Sequence, residues 1–510
     1  MLTKSSSHFQ GVIRGEILFD TNFDYIFNFL SCHDEHLLPA NNGTIRGLMA
    51  LGDAMVMQDP GEVGSAHTNL DSSIDAVHTY LGQFIDHDIT ARTDRETNVS
   101  EIGGFDGDPA NIEPANPEDV VRQLKNGRRP QLDLDSVFGD GPAFASEVLG
   151  DQYRYSKEAD GMYDRRSLKM KLNTSGGGID LYREDGRAII ADARNDENLM
   201  ISQLHAAFIA AYNNIADSLG PSTSSFEREG RYSRARKLLR WAYQYIVVND
   251  YLKQVCDVNT LFDTLENGPY FFMTDGGIYM PLEFSVAAFR FGHSMIRPFY
   301  RINDTLEEER IMNLLGETFH NNLFQNDELR PQNNVDWTNF VGPTAQKARK
   351  IDWRIARGLF ELNAIESSIP AGRMLARLSQ RNLLRGYSLS LPTGQAVAKA
   401  MGIYPLTEEE VLADIGEPNR AIIAAAGLGR TTPLWFYILK EADIQNGGER
   451  LGVVGSTLVA ETLVGLVKCD PNSYLNNQHA AEVHSDGIEV APGTRIATIA
   501  DLLDFAVGLS

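Results

Sequence analysis

Apolar residues recur at helical spacing in several stretches of the chain, and three of these stretches carry polar groups where a core should be. Across residues 74–89, Val77, Leu81 and Phe84 share one face, with Tyr80 beside them, which is the pattern of an amphipathic helix. One turn after Gln83 and Phe84 the same face reaches His87, flanked by Asp86 and Asp88. An imidazole between two carboxylates on such a face is costly unless it is paired, ligated or catalytic. A second periodic helix follows Asp192-Ala193-Arg194-Asn195-Asp196-Glu197-Asn198 and runs through Ile201, Leu204, Phe208, Tyr212 and Ile215. Asn195 or Asp196 suits its N-cap and Glu197 its first turn. Arg194 does not suit that end, because a cation opposes the positive pole of the helix dipole. The third stretch, Phe284 to Pro298, places Val286, Phe289, His293 and Ile296 on one stripe. Pro281 suits the first turn of a helix there, and Pro298 ends it.

Segments 231–256, 345–362, 407–416 and 454–468 also read as helices. The 510 residues can bury a large core. No linker rich in Pro, Gly or Ser divides them, and no internal repeat is present. The Gly103–Gly127 stretch, rich in Gly, Asp, Asn and Pro, reads as a long surface excursion. The net charge of −23, without a long basic cluster, makes nucleic acid and anionic membranes poor partners. No apolar run is long enough to span a bilayer. Met1 to Ser7 has no hydrophobic core of a secretory signal, so the expected location is cytoplasmic, or outside by a route without a cleavable signal. Cys32, Cys256 and Cys469 are few and far apart, which fits a reducing compartment.

Taken singly, each buried histidine is most simply a satisfied core residue. Three such segments in one chain change that reading. His293 beside Gly292, where a flat group has room to approach, is what an axial haem ligand needs. Together Gly82-Gln83-Phe84-Ile85-Asp86-His87-Asp88, Asp192 to Leu199, Ala287-Ala288-Phe289-Arg290-Phe291-Gly292-His293, and Asn382-Leu383-Leu384-Arg385 with Leu391-Pro392 resemble the animal-type haem peroxidase family of the peroxidase-cyclooxygenase superfamily, in its bacterial form. The resemblance runs over roughly residues 70 to 480. It implies a mainly α fold: a single large catalytic domain, residues 71–510, with very little β structure, and residues 1–70 as an N-terminal arm packed on it.

The resemblance also implies roles. His87 matches the acid/base that moves a peroxide proton, Arg194 the cation that stabilises charge as the O–O bond breaks, and Gln83 the amide that positions water or halide. His293 matches the iron ligand of haem b, Asn382 the acceptor of its second ring N–H, and Arg290 and Arg385 the partners of the propionates. Asp86 and Glu197 match carboxylates that esterify haem methyl groups, which leaves covalent attachment open, while Asn198 excludes a sulfonium link. Asp88 matches a calcium ligand whose companions fall in Arg129–Gly139: Asp133 and Asp135 by carboxylate, Gln131 and Arg129 by backbone carbonyl, Arg129 standing where the family has threonine.

The activity implied is reduction of hydrogen peroxide through an oxyferryl species, with iodide, bromide, thiocyanate or phenols as reductants. Fatty-acid dioxygenases of the same superfamily carry a radical-forming tyrosine three residues before the iron ligand. Arg290 stands there instead. A non-catalytic binding or adhesion protein would have no need of His87, Arg194 and His293 together. Cys32-His33-Asp34-Glu35-His36 has no standard zinc spacing, and Ser175-Gly176-Gly177-Gly178 lacks the Lys-Ser/Thr of a phosphate loop. His205 and His320 have no identifiable catalytic partners in the sequence.

Overall fold

The computed structural model describes residues 21–57, 70–91, 112–139, 141–142, 161–164, 166–175, 178–274, 277–325, 328–359 and 377–509. Among the described residues helices dominate, and the strands form only two- and three-stranded sheets. The longest helices among the described residues are Leu199–Ser218, Ser225–Ile246 and Val453–Cys469, and the first two pack on each other. Leu199–Ser218 and Val453–Cys469 are buried nearly all round, as their unbroken apolar composition requires. Among the described residues no helix is long and apolar enough to cross a membrane.

The Val77–Ile89 helix, which carries Gln83, Asp86, His87 and Asp88, packs against Leu199–Ser218. Phe84 stacks on Phe208 at 4.3 Å between centroids, and Tyr243 closes on both edges. This aromatic wedge fixes the rotation of the helix and therefore where His87 points. The helix also needs Gly82. A Cβ there would come within 2.5 Å of the Tyr251 hydroxyl.

The segment before it is tied in as a strand. Thr21–Asp24 pairs antiparallel with Lys125–Asn126 and parallel with Tyr279–Pro281. The fully buried Glu283 accepts the backbone N–H groups of Ile26 and Phe27 at 2.9 and 3.0 Å. Burial pushes its carboxyl up to about 7.

Three elements depart from the sequence reading. Within 345–362 the described residues form no α-helix: Lys347–Arg349 pairs antiparallel with Asp71–Asp75, and Arg357–Leu359 is a single 3-10 turn. A distant strand partner outweighs local spacing here. The 407–416 helix covers only Glu408–Leu412. The Phe284–Pro298 segment is not one α-helix. Tyr279–Pro281 is strand, Glu283–Ala287 is π-helical, and Ala288–His293 is 3-10. Residues 103–111 of the expected surface excursion lie outside the described residues. Beyond them Pro117–Gln123 is a helix whose Val120 is buried.

Candidate active site

The change from π to 3-10 at Ala287, whose φ of −126° and ψ of −69° leave the helical region, re-aims the following turn. In a 3-10 turn, residues three apart eclipse. Arg290 and His293 are therefore stacked on one side, and both meet Asn382 from the Leu378–Ser388 helix. The Arg290 Nη1 donates to Asn382 Oδ1 at 3.2 Å, and the Asn382 Nδ2 stands 3.0 Å from His293 Nδ1. The expected contact between Asn382 and His293 is made.

One turn beyond Asn382, the Arg385 guanidinium is pushed down to about 10 by burial. Beside His293, a Cβ added to Gly292 would meet nothing within 4 Å. An imidazole, two buried guanidinium groups and open space at Gly292 are a donor set that fits a flat, iron-bearing, anionic group such as haem.

His87 is 4% exposed. Its Nδ1 lies 2.7 Å from Asn195 Oδ1, and Asn195 Nδ2 lies 2.8 Å from His205 Nδ1. The amide oxygen can only accept, so His87 carries its proton on Nδ1 and leaves Nε2 as the base. Burial pushes His205 down to about 4, so it is neutral and accepts from the amide. His205 thus has a partner after all. Sequence reading missed Asn195 and His205 because the link between them crosses ten residues through a side-chain amide.

Arg194 lies in a 3-10 turn, Ala193–Asp196, capped by Asp192. The next helix starts at Leu199 with Asn198 as its N-cap, accepting from Ile201 N at 2.9 Å. Asn195 and Asp196 are therefore not its caps, and Glu197, 3% exposed, precedes the helix rather than filling its first turn. The three-residue reach of Asn198 to Ile201 sets the true start. Arg194 Nη2 donates to the carbonyls of His87 and Thr90, each at 2.7 Å, and to Asp192 Oδ2 at 2.6 Å. Asn198 Nδ2 also donates to Gln83 Oε1 at 3.1 Å. Asp86 is half-buried and accepts from Thr90 Oγ1 at 2.9 Å.

Behind His87, Asp88, Asp133 and Asp135 bring carboxylate oxygens within 4.8 Å of one another, all three residues buried. Asp88 accepts from Ser136 Oγ at 2.9 Å and from the N–H groups of Ser136 and Leu134, both at 3.2 Å. Burial, then Asp133, pushes Asp88 up to about 6, and burial also raises Asp135. Leu132 and Leu134 adopt positive φ of 51° and 60° to wrap the loop around the cluster. Each backbone carbonyl expected from this loop accepts one hydrogen bond and keeps a second lone pair. Arg129 O accepts from Gln131 N at 2.8 Å, and Gln131 O faces Gln244 Nε2 at 3.5 Å. The Arg129 side chain reaches Asp133 at 3.6 Å, a contact the sequence did not suggest.

The cluster is linked to Arg194. Arg128 Nη1 lies 3.5 Å from Asp135 Oδ1, and its Nη2 lies 2.5 Å from Asp192 Oδ2. Burial works against charge on Asp192, but Arg194 and Arg128 hold it well below the usual carboxylate range.

A sequence profile described as animal haem peroxidase matches residues 131–426. Human thyroid peroxidase is 26% identical over 218 residues, 39% of this chain and 22% of that protein. Mouse myeloperoxidase is 24% identical over 270 residues, 44% and 36% of the two chains. The chain thus spans only a minor part of these relatives. Peroxidase A from Dictyostelium discoideum superposes with a TM-score of 0.59 at 15% identity, covering 99% of this chain and 98% of that one. A fatty acid alpha-dioxygenase from Arabidopsis thaliana gives 0.58 at 14% identity, covering 93% and 75%.

Proposed function

Because the chain belongs to the animal haem peroxidase family, we propose that it binds haem b through His293 and reduces hydrogen peroxide, with small anions or phenols as reductants. The observation that carries this reading is the buried contact of His87 Nδ1 with Asn195 Oδ1, 2.7 Å away, beside the Arg194 guanidinium. Bound haem would supply the redox chemistry and the electrons that O–O cleavage consumes. His87 Nε2 removes a proton from the inner peroxide oxygen and returns it to the outer one, which leaves as water. Arg194 would stabilise the negative charge that develops, and its three oxygen partners hold the guanidinium in place. Gln83, steadied by Asn198, orients water or a small anion. Arg290 and Arg385 would hold the propionates by charge-assisted hydrogen bonds. Asp86 and Glu197 would be the carboxylates that form ester links to the haem during turnover. Asp88, Asp133 and Asp135 take a calcium ion, a hard cation suited to three buried carboxylates.

The test is a steady-state assay of the haem-loaded protein with peroxide against iodide, bromide, thiocyanate, phenols and linoleate. Oxidation of anions or phenols supports the proposal. Activity only with linoleate and oxygen replaces it by the dioxygenase reading, and Arg290 three residues before His293 weighs against that.

A further inference from the structure

The chain has four tryptophans, and one of them touches the proposed iron ligand. Trp435, 2% exposed, lies on the Leu434–Asn446 helix, which packs on the His293 turn. Its ring stands edge-on to His293, centroids 6.4 Å apart at 85°. Its Nε1 donates to the Arg290 carbonyl at 3.2 Å. We propose that Trp435 is a redox-active residue, which gives one electron through His293 to the peroxide-oxidised haem and then draws one from a phenolic donor.

The inference rests on the peroxidase reading. Hydrogen peroxide takes two electrons and two protons to become two waters. Trp435 supplies one of those electrons. Its indole becomes a radical cation that keeps the Nε1 proton, held by the Arg290 carbonyl. A phenol then returns the electron to Trp435 and releases its own proton to water, and a second phenol supplies the other electron.

Electrostatics disfavour two of the other tryptophans, Trp353 and Trp241. Trp353, whose ring lies 6.3 Å from Phe436, carries the Arg354 guanidinium at 4.8 Å and the Lys440 ammonium at 5.5 Å above it. Two cations over one ring oppose a third positive charge there. Trp241 carries Lys237 at 4.4 Å. Among the described residues no cation stands over Trp435. Tyr251 is the competing phenol, fully buried against Gly82 and 6.1 Å from Phe289. A phenol must shed its proton on oxidation, and among the described residues no hydrogen-bond acceptor receives the Tyr251 hydroxyl. An indole carries no such requirement.

The experiment is freeze-quench electron paramagnetic resonance of haem-loaded protein mixed with an equivalent of hydrogen peroxide. Samples are grown with ring-deuterated tryptophan or ring-deuterated tyrosine. The expected organic radical signal narrows with deuterated tryptophan only. It falls about tenfold or more in Trp435→Phe and stays within about twofold in Trp353→Phe. Narrowing with deuterated tyrosine, or a full signal in Trp435→Phe, overturns the proposal. Should Trp435→Phe fail to load haem, spin-trap adducts on wild-type peptides decide it: an adduct on the Trp435 peptide supports the proposal, and one elsewhere overturns it. A Soret band that changes with peroxide, without a tryptophan radical, defeats this inference alone. A Soret band indifferent to peroxide defeats the peroxidase reading and the inference with it.

Discussion

The contact between His87 and Asn195 makes a sharp prediction. Asn195→Ala removes the acceptor 2.7 Å from His87 Nδ1, in a pocket where His87 is 4% exposed and water has little room to replace it. A buried donor left unmatched costs about 1–3 kcal/mol. Part of that cost falls equally on the resting and reacting protein and does not touch the rate. The remainder appears when His87 takes the peroxide proton, because a hydrogen bond from a charged ring is roughly twice as strong as one from a neutral ring. The difference is about 1–2 kcal/mol, or roughly a five- to thirtyfold slower reaction with peroxide. Stopped-flow mixing of haem-loaded protein with peroxide, followed at the Soret band, measures it. Haem content should stay normal, since Asn195 bonds to His87 and His205. Asn195→Asp provides the contrast: a carboxylate favours the protonated ring, so the pH–rate profile moves to higher pH. An Asn195→Ala rate equal to wild type at equal haem content would show that Asn195 does not set the working tautomer.

Four further outcomes are expected. His293→Ala loses most of its haem and its Soret band after reconstitution; an unchanged spectrum places the ligand elsewhere. His205 is held near 4 in the fold against an ordinary 6.5, so below 6.5 the unfolded chain binds a proton that the native one does not, and stability falls with acid by up to about 3 kcal/mol between pH 6.5 and 4; urea titrations should show His205→Leu with a shallower fall over that window and no change of slope above it. Dialysis against a calcium chelator should lower the melting temperature and calcium should restore it, while Asp133→Asn should abolish the response; a melting temperature indifferent to both, with no calcium by elemental analysis, removes the metal. Acid–acetone extraction after brief peroxide treatment should leave haem on the Asp86 and Glu197 peptides, and haem that extracts completely assigns those carboxylates another role.

Much of the site was legible because it is local. Gln83 and His87 share a helical face in any amphipathic reading, and Arg290 lies three residues before His293 whether the turn is α or 3-10. What escaped is what long-range packing supplies. Asn195 looked like a helix cap, and only the fold shows it bridging His87 to His205. Asp192 and Arg128 had no stated role, although the run Asp192-Ala193-Arg194 and the pair Arg128-Arg129 were available signals. The strand at Lys347–Arg349 was read as helix because its partner, Asp71–Asp75, lies over 270 residues away in sequence. Trp435 carries no motif at all, and its interest comes only from what it touches.

The alternation Asp135, Arg128, Asp192, Arg194 joins the carboxylate cluster to the carbonyl of His87 through contacts of 3.5, 2.5, 2.6 and 2.7 Å. A row of opposite charges in contact responds to mutation as one object. Removing any interior member leaves two like charges facing each other, so single substitutions overstate each residue's share and double substitutions understate their sum. Neutralising Asp192 and Arg128 together should therefore do less harm than neutralising either alone. For anyone transplanting this pocket into another scaffold, the smallest portable unit is accordingly the whole row and not the histidine and arginine at its end.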